Sequence, residues 1–217
     1  MNDAKYYSRC RNEIVAAVPP SCTRILSVGC GFGITEGVLA SKGKEVWGVE
    51  LEPDAAKEAA TRLSRVICGD AETAMNECPQ GYFDCLIMAD ILEHLVDPWR
   101  ALAQYKRKLR EGGHLIVSLP NVRFAGTTLP LIFGGRWQYT DEGVLDRTHL
   151  RFFTRKTAIA LVQSAGFSVT EVQPRVRQSL RFNTIVGAVQ RTYYVIPIFQ
   201  GFLAKQFIIS AKCIAGD

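Results

Sequence analysis

Six short apolar runs rich in β-branched residues alternate along the chain with helix-like segments: "RILSVG" (24–29), "KEVWGVE" (44–50), "RVICGD" (65–70), "DCLIMAD" (84–90), "HLIVSLPN" (114–121) and "FSVTEVQP" (167–174). Such alternation predicts parallel strands joined by helical crossovers. The runs are apolar at consecutive positions, as strands covered on both faces require. Helix signals fall between them. Pro53 opens "PDAAKEAATRLS", Asp97 and Pro98 open "DPWRALAQYKRKLREGG" with Gly112 and Gly113 as its stop, and Thr154 caps "RKTAIALVQSAG", which stops at Gly166. The pattern predicts a doubly wound α/β fold.

Two regions break the rhythm. Residues 122–153, "VRFAGTTLPLIFGGRWQYTDEGVLDRTHLRFF", read as a loop insertion longer than a usual connector, crowded with glycine, aromatics and charge. Loops of that length are more often functional than idle. After Pro174 a mixed stretch leads to a last candidate strand, "QFIISAKC" (206–213). Pro197, Lys205 and the polar interruptions argue against a membrane span there, while contact with a membrane surface stays open.

With 217 residues, 47% of them hydrophobic, the chain can bury one full core, and a single domain over residues 1–217 is expected. Its first residues lack the apolar run of a signal peptide and no stretch is long and apolar enough to span a bilayer, so a cytoplasmic protein is expected. The seven cysteines are odd in number and none is spaced as CxxC, which points to reduced thiols and to no metal site. Charge is lopsided. Through Asp146 there are 16 Lys and Arg against 19 Asp and Glu, and from Arg147 onward ten against two, so an anionic partner or a solvated basic face belongs to the C-terminal third.

The first strand breaks into Gly29-Cys30-Gly31-Phe32-Gly33 and feeds a helix near Ile34. Gly29 permits a tight turn, Gly31 lets a ligand approach the backbone, and the helix N-terminus offers free N–H groups. A tight βα turn with nothing bound uses the same residues. The spacing is GxGxG, not the GxGxxG of the dinucleotide fingerprint. Glu50 ends the second strand, where its carboxylate can accept both hydroxyls of a ribose. Asp70 ends the third strand at the same sheet edge, where it can take an adenine amine or cap the next helix. A dinucleotide does not require Asp70, so an NAD oxidoreductase is disfavoured.

Taken together, "LSVGCGFG", "VWGVELEP", "CGDAE", "FDCLIMADILEHLVDP" and "LREGGHLIVSLPN" resemble the motifs of class I S-adenosylmethionine-dependent methyltransferases, in their order and spacing over residues 24–121. The resemblance implies a seven-stranded Rossmann-like sheet in which "QFIISAKC" is antiparallel and slots between the fifth and sixth strands. It implies S-adenosyl-L-methionine as cofactor and S-adenosyl-L-homocysteine as product, held by Gly29, Cys30, Gly31, Gly33, Glu50, Leu51, Asp70, Ala71 and Asp90. "DILEHLVDP" looks most like the small-molecule branch, including quinone-pathway O-methyltransferases. "GRWQYTDEGVLDRTHLRFFT" is similar to a subgroup associated with glycan and secondary-metabolite clusters. The fourth strand ends in "MADI" and lacks the Asn/Asp-Pro-Pro-Tyr/Phe sequence of base and glutamine amino-methylases. Nucleic-acid methylation is thereby weakened, though it and a non-catalytic cofactor-binding protein stay as alternatives.

Methyl transfer to a hydroxyl calls for a general base, and imidazole is the usual one. His149, beside Asp146 and Arg147, is the first candidate and His94 the second; His114 lies at the far end of its strand and reads as structural. Trp137 and Tyr139 suit stacking on a sugar or ring, and Arg147 and Arg151 suit an anionic group. The expected acceptor is a hydroxylated small molecule, such as an anionic glycan precursor. An N-terminal helix within residues 1–20 is expected to cover the cofactor, with Tyr6 and Tyr7 facing inward.

Overall fold

A computed structural model describes residues 10–176 and 201–214. Seven strands form one sheet in the order β3-β2-β1-β4-β5-β7-β6: β1 (Arg24–Val28), β2 (Glu45–Glu50), β3 (Arg65–Cys68), β4 (Phe83–Ala89), β5 (Leu109–Pro120), β6 (Phe167–Arg175) and β7 (Gln206–Cys213). The first five are mutually parallel. β7 runs antiparallel to both β5 and β6, in the slot the sequence implies. Among the described residues, helices α1 (Asn12–Ala17), α2 (Ile34–Ala40), α3 (Pro53–Ala59), α4 (Ala71–Ala74), α5 (Pro98–Lys106), α6 (Ala125–Gly134) and α7 (Arg155–Ser164) accompany the strands.

Alternate residues of the central strands feed two cores on opposite faces. Leu26, Val28, Leu86 and Met88 pack on one side with Leu102, Tyr105 and Leu161; Ile25, Cys85 and Ile87 pack on the other with Ile14 and Leu39. This two-sided cover explains the consecutive apolar positions of β1 and β4, whose residues are almost all buried. The two outer strands are half open, against the uniform expectation: β3 buries only Ile67 and β6 only Phe167 among their residues. An edge strand has one neighbour and shorter helical cover, so polar residues are tolerated there.

Two further expectations are corrected. The helix from Pro98 ends at Lys106 and not at Gly112–Gly113, because the carbonyl of Lys108 accepts bonds from the backbones of Tyr82 and Phe83 and draws the chain into β5 at Leu109. The glycines instead form an irregularity between the pairs Phe83↔Leu109 and Cys85↔His114, with Gly112 at φ +67°. His114, as expected, lies in β5 away from the ligand edge. Residues 122–153 are not all loop. Helix α6 forms within them despite Gly126, Pro130 and the Thr pair, and leaves Leu129, Leu131, Ile132 and Phe133 exposed.

All seven cysteines are free thiols, with Cys22, Cys30, Cys78 and Cys85 buried. Among the described residues no helix is long and apolar enough to cross a membrane. Tyr6, Tyr7 and the stretch 177–200, raised above as lid and possible membrane-surface segments, lie outside the described residues.

Candidate active site

Parallel pairing brings the C-terminal ends of β1 to β5 to one edge. The sheet order reverses between β1 and β4, the place where open α/β sheets receive ligands. At this crevice Gly29, Gly31 and Gly33 have φ of +74°, +54° and +68°, a conformation that L side chains adopt at a cost. The amides of Gly29 and Cys30 both bond to the carbonyl of Val49 (2.8 and 3.2 Å), which bends the loop toward β2. Gly33 is the N-cap of α2, and a Cβ there would come within 3.2 Å of Ala59.

Glu50 lies against this loop. Its carboxylate accepts the Gly31 amide at 2.7 Å and the Glu52 amide at 3.1 Å while only 5% of the residue is exposed. Two lone pairs beyond those bonds remain on an ionised carboxylate. Asp70 stands two residues past the last β2–β3 pair, Glu50↔Cys68, and is exposed. One oxygen caps α4 through the Glu72 amide at 2.7 Å, so its capping role and a ligand role coexist on different oxygens. Leu51 is 60% exposed beside Glu50, whereas Ala71 is buried and its carbonyl receives the Tyr105 hydroxyl at 2.7 Å.

Two of the expected contacts differ in kind. Cys30 turns its thiol inward, over Gly48, where a Cβ would lie 2.6 Å from Sγ, so only its backbone faces the crevice. Burial pushes that thiol's pKa up. Asp90 carries the one positive φ outside glycine among the described residues, +57°, and its carboxylate is occupied by the Arg11 guanidinium, the Gln206 amide and the Ser118 hydroxyl (3.1 Å). Strained backbone held by surrounding bonds is common beside functional sites. Beneath the loop, Glu36 accepts the Ser27 hydroxyl at 2.7 Å, and burial, with Glu50 nearby, raises its pKa to about 7.

Arg11 and Glu93 escaped the sequence reading. The Arg11 amide donates to the Thr35 hydroxyl at 3.0 Å while its side chain reaches Asp90 and Glu13. Burial opposes its charge, but these carboxylates outweigh burial and hold it protonated. Glu93 sits in the single 3-10 turn Leu92–His94 after β4, with its side chain inside at 1% exposure. Its backbone carbonyl accepts the amides of Leu150 and Arg151 at 2.8 and 3.0 Å, so the end of the 122–153 segment hangs from this turn.

That segment brings both candidate histidines together. The rings of His94 and His149 meet edge to face at 4.8 Å, Phe152 lies 6.3 Å from His149, and Trp137 lies 5.4 Å from Phe152. His149 Nδ1 lies 3.1 Å from the carbonyl of Val144. His94 Nδ1 lies 3.3 Å from the carbonyl of Thr148, and burial, then the neighbouring His149, lowers its pKa. Tyr139 is half exposed and reaches out from the same segment. The two arginines are less free than expected. Arg147 pairs with Asp141 at 2.7 Å, both exposed, and Arg151 donates to the carbonyl of Val96 at 2.5 Å. Beyond them a cleft of about 300 Å³ is lined by Arg123, Thr154, Arg155, Lys156 and Gly201.

Known proteins fit this geometry. Residues 3–172 match a family model described as a methyltransferase domain. A probable S-adenosylmethionine-dependent methyltransferase of Mycobacterium tuberculosis is 30% identical over 118 residues, covering 54% of this chain and 43% of that protein. A ubiquinone biosynthesis O-methyltransferase of Cereibacter sphaeroides is 27% identical over 179 residues, covering 80% and 69%. The chain thus spans less than half the length of the mycobacterial relative. A crystal structure of a SAM-dependent methyltransferase from Archaeoglobus fulgidus superposes with a TM-score of 0.66 at 20% identity, over 96% of this chain and 93% of that one. Glycine loop, acidic strand tips, sheet order and family match agree: this chain belongs to the class I S-adenosylmethionine-dependent methyltransferases.

Proposed function

We propose that the protein transfers a methyl group from S-adenosyl-L-methionine to a hydroxyl of a small-molecule acceptor. The observation that carries the cofactor half is the bond from the Gly31 amide to Glu50, which puts an acceptor-only carboxylate against an open glycine turn. That donor and acceptor set fits an adenosine bearing an amino-acid tail: Glu50 would take the ribose hydroxyls, Asp70 the adenine amine, and the backbone of Gly29 to Gly33 would leave room for the tail. The cofactor supplies a methyl group already activated on a sulfonium.

The chain's own work is alignment, exclusion of water and management of one proton. His149, on the segment held by the Glu93 carbonyl, and His94, on the turn that carries Glu93, would offer an Nε2 atom to the proton of an acceptor hydroxyl. Trp137 and Tyr139 would stack on a ring of the acceptor, and Arg147 and Arg151 would meet an anionic substituent once released from Asp141 and Val96. The ubiquinone-type names among the relatives support a hydroxylated ring as acceptor.

Calorimetric titration with S-adenosylhomocysteine tests the cofactor half. Glu50→Ala and Asp70→Ala are each expected to weaken binding by about 10- to 100-fold, the value of a hydrogen bond to a charged group. Unchanged affinity in both variants would overturn the assignment.

A further inference from the structure

Glu93 is a buried carboxylate whose two oxygens have no hydrogen-bond partner among the described residues. Unpaired buried carboxylates are costly, and native structures resolve them with a proton, a donor or a cation. Among the described residues no donor makes a hydrogen bond of good geometry to either oxygen. The His149 Nδ1 is spent on the carbonyl of Val144, which leaves Nε2 with a lone pair, and that Nε2 stands 4.0 Å from Glu93 Oε1, too far for a hydrogen bond.

His94 follows the same logic. The Thr148 hydroxyl is committed to Asp146 Oδ1 at 2.6 Å, so His94 Nδ1 must donate toward Thr148, whose carbonyl is 3.3 Å and hydroxyl oxygen 3.1 Å away. Its Nε2 is therefore an acceptor too. Glu93, His94 and His149 each bring one atom able to ligate a metal within 4.8 Å of the other two, and the His149 member is near Glu93 through its Nε2. Each imidazole gives its second nitrogen to a fixed oxygen, the arrangement that orients metal-bound histidine. Asp90 and Asp146 add negative potential, and the nearest cation, Arg11, is held by Asp90 and Glu13.

We propose that Glu93, His94 and His149 form a binding site for a divalent first-row transition-metal cation. A two-histidine, one-carboxylate set suits Zn²⁺, Fe²⁺ or Mn²⁺ and leaves open positions for an oxygen ligand. With bonds of about 2.0–2.2 Å the donors need to close to roughly 4 Å or less, which small side-chain rotations supply. The site goes beyond the methyl-transfer reading and stands without it; its consequence for the reaction rests on that reading. With the cation bound both Nε2 lone pairs are taken, so the cation would activate a coordinated hydroxyl in place of an imidazole base, and the proton would pass to solvent.

The test is titration of chelator-treated full-length protein with Zn²⁺ by calorimetry and with Co²⁺ by visible absorption. One equivalent of each is expected to bind, with ligand-field bands for Co²⁺, and Glu93→Gln and His149→Gln are each expected to weaken binding at least 10-fold. His94→Gln, on the less buried rim, gives the same readout if a core variant fails to fold. Absence of saturable binding at one equivalent, undiminished binding in folded variants, or a thiolate-to-cobalt charge-transfer band naming cysteines as ligands would each overturn the site. S-adenosylhomocysteine affinity of the same samples separates the two readings: a wild type that binds it without binding metal refutes this site alone.

Discussion

Two sides of the crevice are built by different means. At the tips of β1, β2 and β4 the walls are backbone and hydrogen-bonded carboxylates: three left-handed glycines, buried Glu50 against Gly31, and half-buried Asp90 under three donors. Residues 122–153, by contrast, bury Thr127, Val144, His149 and Phe153 but present other side chains to water, with Phe133 83% and Ile132 68% exposed and Trp137 and Tyr139 partly so. The first side is held by close packing at Gly33 and by the backbone bonds of Gly29 and Cys30 to Val49. The second is anchored through a few bonds, chiefly those of Leu150 and Arg151 to the Glu93 carbonyl. On the proposed function the first kind of surface would hold the cofactor and the second would meet the acceptor.

Substitutions can break that contrast. The largest effect is expected from Gly33→Val, which puts a β-branched residue at φ +68° with its Cβ 3.2 Å from the Ala59 backbone. Strain and overpacking together should cost about 2–4 kcal/mol and remove S-adenosylhomocysteine binding. Urea unfolding and calorimetry on one sample check both, and a stable, binding variant would mean the loop tolerates a side chain.

Next comes Asp84→Asn, at the opposite edge of the same sheet. Burial would raise the Asp84 pKa, but amide bonds from Thr23 and Arg24, the Thr23 hydroxyl and the Arg110 guanidinium outweigh burial and bring it down to about 2. Because the folded pKa lies below the ordinary 3.8, this stability is present above about pH 4 and is lost as pH falls through 2. Wild type should exceed the variant by about 2 kcal/mol at pH 7, with the gap closing below pH 4. Cofactor affinity should hold throughout; a pH-independent gap would assign the loss to packing.

The smallest stability change is expected within residues 122–153. Trp137→Ala should alter stability by about 0.5–1 kcal/mol, since it loses mainly its contact with Phe152. Its signature is a several-fold rise in acceptor KM with cofactor affinity unchanged. A fall in cofactor affinity instead would move Trp137 to the other side of the contrast.

The sheet was readable because its central strands are buried on both faces, and burial on both faces leaves a continuous apolar run in the sequence. Glu50 and the glycines were readable for a related reason, as backbone that must turn left-handed at a strand end leaves few residue choices. Helix α6 was not, because its Gly, Thr and Pro content is unfavourable to helix and its apolar residues do not mark a buried stripe. Arg11 depends on a partner 79 positions away and leaves no local trace. Glu93 had a partial signal, an acid beside His94 directly after a buried strand, but only the 3-10 turn Leu92–His94 reveals that it points inward.

The clasp on Asp90 has a dynamic outcome. Arg11, just ahead of α1, and Gln206, the first residue of β7, meet on that carboxylate beside Ser118 of β5. Opening either α1 or the start of β7 strips a bond from the same charged group and leaves it undersatisfied, so the two segments protect each other's amides from solvent. Hydrogen exchange there should proceed as one cooperative unit, although nearly the whole sequence separates the two residues.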